Sequence, residues 1–124
     1  MVLYAAADLL WATRIKSTAD ALCIPCRPVP DTGMLRARLT DSDVRGVLLD
    51  LVAPDRVRAL LEVLRGADAG ERERAVRVVA WGPHVEADLL AEARALGADE
   101  VMTRGAFASA LPDLLTRLEG RDGV

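Results

Sequence analysis

Aromatic side chains are scarce: two tryptophans, one tyrosine and one phenylalanine make up 3% of 124 residues. Lysine and histidine occur once each, as Lys16 and His84, and cysteine twice. Each shortage removes a class of chemistry. A surface that binds nucleic acid needs a basic stripe with aromatics interleaved for stacking, whereas here 16 basic residues face 19 acidic ones, so nucleic acid is not an expected partner. One histidine excludes multi-histidine metal sites, and any step that needs an ammonium group falls to Lys16 alone. Long apolar runs are missing as well. The opening stretch stops at Asp8 after seven residues with no charged segment before it, too short for a spanning helix and unlike a signal peptide. No membrane partner is expected, and the expected location is cytoplasmic.

What is abundant is aliphatic. Hydrophobic residues make up 52% of the chain, so the core must be built of Ala, Leu and Val. A chain of this length buries roughly two thirds of the surface its unfolded form exposes, and needs no disulfide or metal staple. Cys23 and Cys26 have the spacing of a redox pair. However, an apolar helical pattern precedes Cys23 and a Pro-punctuated segment holds Cys26, the reverse of the strand-then-helix order that lowers a thiol pKa. Two reduced, packed thiols are the expectation.

Short apolar stretches alternate with helical patterns five times. Val2–Ala6, Val47–Leu51 and Val76–Trp81 are nearly continuous apolar runs, as strands covered on both faces require. Ile24–Val29 carries Pro25 and Pro28, which lack a ladder donor and suit an edge strand. Asp99–Thr103 follows Gly97, a helix stop. Trp11, Ile15, Ala19 and Leu22 form one helical stripe, and Val57, Leu60, Leu61 and Leu64 another. Val85, Leu89, Ala93 and Leu96 form a third; Leu111, Leu114, Leu115 and Leu118 form a fourth, with Ser109 as its N-cap and Pro112 in its first turn. A weaker short helix surrounds Met34, Leu35 and Leu39, and the charged segment Gly66–Arg74 reads as a solvated loop.

This alternation predicts a single α/β domain over 1–119, with a short tail over 120–124. The expected fold is a doubly wound, flavodoxin-like five-stranded parallel sheet in order 2-1-3-4-5, with five helices. Chemistry in such sheets gathers at the carboxyl ends of the strands, here Ala7–Asp8, Asp50–Pro54, Trp81–His84 and Thr103–Gly105. Ala6-Ala7-Asp8-Leu9 has no glycine that would let backbone amides close on a pyrophosphate, so a nucleotide site is not expected.

The strand ends do offer carboxylates. Asp50 closes a buried strand, Asp8 follows the neighbouring one, Pro54 stands four residues beyond Asp50, and Gly97-Ala98-Asp99-Glu100 precedes the last strand. From Val2 to Leu118 this arrangement resembles a response-regulator receiver domain. The resemblance implies that Asp50 corresponds to the aspartate that accepts a phosphoryl group from a histidine kinase, and that Asp8 and Asp50 belong to an acidic pocket for Mg²⁺. It also implies that Gly82 falls where the family has Ser or Thr, that Arg104 falls at its lysine, and that Val101 falls near its switch aromatic.

These departures matter. One acid of the family's pair is gone, so Mg²⁺ is expected to bind weakly through Asp8 and Asp50 and no cofactor is obligatory. Gly82 has no hydroxyl, and arginine presents a planar fork in place of a point donor. The expectation is a degenerate, or pseudo-, receiver: an interaction module with no catalytic residue, in which Arg104 pairs with Asp50 and fills the phosphoryl site. Its partner would be a signalling protein, such as a histidine kinase or an output protein. The resemblance also implies self-association through the face around Glu86, Arg94, Asp99 and Arg117. Two alternatives stand: a working phosphoacceptor at Asp50 in a two-component relay, and a small ligand-binding or thiol protein using His84 or the cysteines. Taken singly, Asp50 could cap the turn that follows it and Asp8 could cap the first helix. His84 reads as an exposed first-turn residue, and Trp81 either fills core space or anchors a partner.

Overall fold

The computed structural model describes residues 1–120. Its elements alternate as β1 (Val2–Ala5), α1 (Leu9–Ala21), β2 (Cys26–Pro28), α2 (Thr32–Asp41), β3 (Gly46–Asp50), α3 (Pro54–Arg65), α4 (Glu71–Arg74), β4 (Arg77–Gly82), α5 (Ala87–Ala95), β5 (Glu100–Thr103) and α6 (Arg104–Leu118). All strand pairs are parallel and the sheet order is β2-β1-β3-β4-β5, as the alternation predicts. The Pro-bearing strand lies at the edge, where the missing donor of Pro28 breaks no ladder. Of the tail expected over 120–124, residues 121–124 lie outside the described residues. No described helix is long and apolar enough to cross a membrane.

The pleat sends alternate residues of the central strand β3 into two cores. Val47 and Leu49 join Leu35, Leu60, Leu61 and Leu64 on the side of α2 and α3. Leu48 joins Ile15, Trp81, Phe107 and Leu111 on the side of α1 and α6. Three of the four aromatics meet in this second layer. Trp81 and Phe107 stack with centroids 4.2 Å apart and planes 2° from parallel, and Trp11 tilts over both. Trp81 is fully buried, so it is a core residue rather than an exposed anchor. Its indole N–H has no hydrogen-bond partner among the described residues.

Two expectations about helices are corrected. Among the described residues there are six helices and not five, because part of the charged segment 66–74 forms α4. Its charges are not merely solvated. Arg72 donates to the carbonyls of Leu39, at 2.6 Å, and Ser42, and Arg74 donates to those of Gly66 and Ala69, at 2.7 and 3.1 Å. The last helix begins at Arg104 with Thr103 as N-cap, its hydroxyl accepting from the Ala106 amide at 3.3 Å, and not at Ser109. Pro112 therefore sits inside the helix, where the Ala108 carbonyl loses its i+4 donor. The helix runs on because its flanks bury Phe107, Leu111, Leu114, Leu115 and Leu118 against the sheet.

Arg65 holds the far side together. Its guanidinium donates to the carbonyls of Val76, Gly97 and Glu73 and to Asp99 Oδ2, joining α3 to the entries of β4 and β5. Asp99 Oδ2 also accepts from the Val78 amide at 2.8 Å. With its side chain only 14% exposed, Arg65 is expected to be costly to remove. Arg65→Ala should lower unfolding free energy in urea by about 2–4 kcal/mol, since several charge-assisted bonds go at once. A loss under about 1 kcal/mol would show the clamp to be incidental.

Candidate functional site

Asp50 is the last residue of β3 and, at 2% exposed, the only buried charged side chain among the described residues. Both of its carboxylate oxygens are engaged. Oδ2 accepts from the Ala7 amide at 3.0 Å, and Oδ1 accepts from the Val52 amide at 3.1 Å. The carboxylate thus ties the loop after β1 to the loop after β3. The bond to Val52 is the local turn cap that a strand-end aspartate can make by itself; the bond to Ala7 exists only because parallel pairing puts β1 beside β3.

Among the described residues no hydrogen bond or ion pair joins Asp50 to the side chain of Asp8 or Arg104. Asp8 is exposed and caps α1, its Oδ1 accepting from the Trp11 amide at 2.8 Å. Gly82, the last residue of β4, is buried, and a Cβ there would lie 3.1 Å from Leu51 Cβ. Glycine is thus what this close approach of β4 to the loop after β3 accommodates. Among the described residues no group of three or more His, Cys, Asp or Glu side chains is placed to hold a metal ion.

Arg104 corrects an expectation. It is exposed at the start of α6 and makes no ion pair or hydrogen bond among the described residues, so the Asp50–Arg104 pair does not form. The physical reason is local. Asp50 is buried at the end of β3, whereas the immediate turn from β5 into α6 leaves the Arg104 side chain exposed. His84 is exposed as expected, but in the turn before α5 and not in its first turn, where the Glu86 amide bonds the Pro83 carbonyl at 3.0 Å. What sequence reasoning missed is the role of Ala7, which serves through its backbone and leaves no side-chain signal.

The cysteines separate. Cys26 is buried in β2, and desolvation pushes its thiol up to about 12. Cys23 is exposed, not packed as expected, because it takes the left-handed backbone (φ 58°) that ends α1. Neither forms a disulfide.

Two measurements check this geometry. Asp50→Ala should cost about 1–2 kcal/mol in urea unfolding, because two part-buried amide bonds lose their charged acceptor, while Arg104→Ala should change stability by under about 0.5 kcal/mol; equal effects would contradict the assignment. The Cys26 thiol should resist ionisation where an unfolded thiol yields. A folded value above the unfolded one stabilises fully below pH 9, the ordinary thiol value, and that contribution is lost as pH rises toward 12. Native protein treated with iodoacetamide at mildly alkaline pH should gain one adduct, at Cys23, and a second only in denaturant; equal native rates would refute it.

No family model matches the chain, and no curated protein does. Solved structures do. A signal receiver domain of a response regulator from Bermanella marisrubri superposes with a TM-score of 0.76 at 17% identity, covering 96% of this chain and 97% of that one. The receiver domain of a sensor histidine kinase from Pseudomonas aeruginosa, which has a magnesium ion coordinated in its active site cleft, gives 0.75 at 16%, covering 96% of each. A response regulator from Thermotoga maritima gives 0.70 at 11%, covering 94% of each. This chain therefore has the fold of response-regulator receiver domains, over nearly its whole length.

Proposed function

We propose that this chain is a receiver-type interaction module of a signalling pathway that does not switch by phosphorylation. The observation that carries the reading is the state of Asp50. A phosphoacceptor needs a carboxylate oxygen open to an incoming phosphoryl group and a cation to neutralise charge in the transfer. Here both oxygens are bonded to amides and the group is sealed from solvent.

The neighbouring positions support the same conclusion. Asp8 already caps α1 through Oδ1 and stands between Ala7 and Leu9 with no second acid beside it, which leaves Mg²⁺ fewer carboxylates to justify shedding its water. Gly82 offers no hydroxyl to a phosphoryl oxygen, and Arg104 is directed into solvent. A ligand shifts a conformational equilibrium only through contacts that differ between two states, and these positions supply few. Partner recognition would then rest on a fixed surface. The charges of the face around α5, β5 and α6 are largely consumed within the molecule: Arg117 pairs with Glu100, Asp99 with Arg65, and Arg94 reaches the Val101 carbonyl. The reading assigns the chain no catalytic step.

Incubation with acetyl phosphate and millimolar Mg²⁺, followed by intact mass, tests this. The expected result is an unmodified mass, under conditions where a receiver with a complete acidic pocket gains a phosphoryl group. An adduct on the wild type that is lost in Asp50→Asn would overturn the proposal and establish the phosphorelay reading.

A further inference from the structure

A groove opens between the ends of β1 and β2, the first turns of α1 and the start of α3, and the interaction-module reading makes no use of it. Ala6, Ala12, Pro28, Val29 and Pro30 line it, and its only charged wall residue is Arg56. Its volume is about 330 Å³, at the lower end of small-molecule sites. Leu9, 80% exposed, stands one turn before Ala12 on the same face of α1 and prolongs the apolar wall.

Arg56 is the informative residue. Arg58, two positions on, pairs with Asp55 and Glu92. Arg56 is half-buried and has no ion-pair or hydrogen-bond partner among the described residues. A guanidinium partly withdrawn from water without an anion carries a desolvation cost with no return. Its planar fork matches a carboxylate, which takes two parallel N–H bonds. Apart from Arg56 only Tyr4 among the lining residues has a polar side-chain group, so a phosphate or sulfate would leave most of its remaining oxygens against alanine, valine and proline side chains that donate nothing.

We propose that this groove binds a small apolar monocarboxylate, with the carboxylate on Arg56 and the hydrocarbon body along Ala6, Ala12 and Val29. Asp50 is not among the residues that line the groove, and the carboxylate on Arg56 makes no use of it.

Phenylacetate titrated into isotope-labelled full-length protein, followed by amide NMR, tests it. The expected result is saturable shifts confined to residues 5–7, Val29 and Arg56 and their neighbours. The neutral isostere phenylacetamide and the variant Arg56→Gln should each weaken binding by at least about tenfold, as loss of a bidentate charged contact requires. The amide spectrum of Arg56→Gln away from the groove reports whether it is folded, and the phenylacetamide comparison stands on the wild type alone. Shifts that are absent up to the solubility limit, scattered over the surface, matched by phenylacetamide or inorganic phosphate, or retained in a folded Arg56→Gln would overturn the proposal.

Discussion

A single carboxylate sets the character of the strand-end surface. Asp50 sits where β3 runs out, and its two oxygens hold the amides of Ala7 and Val52. The acceptor is buried and charged while Ala7 and Val52 lie at the surface, and a carboxylate that accepts from two backbone amides is a stronger tie than a neutral acceptor would be. Around it Leu51 packs under β4 against Gly82, Asp8 caps α1, and Arg104 makes no ion pair among the described residues. In this chain the aspartate at the centre of a receiver fold is a structural tie.

The rest of the molecule makes similar use of charge. Fifteen of the sixteen basic residues are arginine, and several act as clamps on backbone carbonyls rather than as surface ion pairs. Arg65 gathers the entries of β4 and β5, Arg72 fastens α4 to the end of α2, Arg74 closes the loop before α4, and Arg45 reaches the Glu119 carbonyl. A guanidinium can do this because it carries five donors in a rigid fork, which an ammonium on a flexible stem cannot reproduce. The aliphatic core supplies cohesion on both faces of the sheet. The aromatic trio Trp11, Trp81 and Phe107 fills the layer under α1 and α6.

The architecture was legible because its signals are periodic. Continuous apolar runs at Val47–Leu51 and Val76–Trp81, prolines at 25 and 28 and helical stripes between them lead to the parallel order with a Pro-bearing edge strand, and strand ends differ from expectation by only one or a few residues. Boundaries set by local hydrogen bonds were harder. Thr103 and Ser109 are both competent caps, and only the immediate turn from β5 into α6 selects the first. Helix α4 has no apolar stripe at all and exists through arginine contacts to distant carbonyls. The candidate site was legible in part. Asp8 as a helix cap and Asp50 as a turn cap follow from local chemistry, and both roles occur. The long-range bond from Ala7 does not, because a backbone amide is the same in every sequence. The expected Asp50–Arg104 pair failed for the complementary reason: charge type can be read from a sequence, but that one partner ends buried and the other exposed cannot.

Native-state hydrogen exchange at the Ala7 and Val52 amides tests the central claim most directly. If Asp50 is a tie, both amides are protected to nearly the level of the β3 ladder, their protection is unchanged by millimolar Mg²⁺, and Asp50→Ala abolishes it at both sites together. Free exchange of both amides in the wild type, or a Mg²⁺-dependent loss of their protection, would mean that the carboxylate is open to a metal and a phosphoryl group, and would contradict the account.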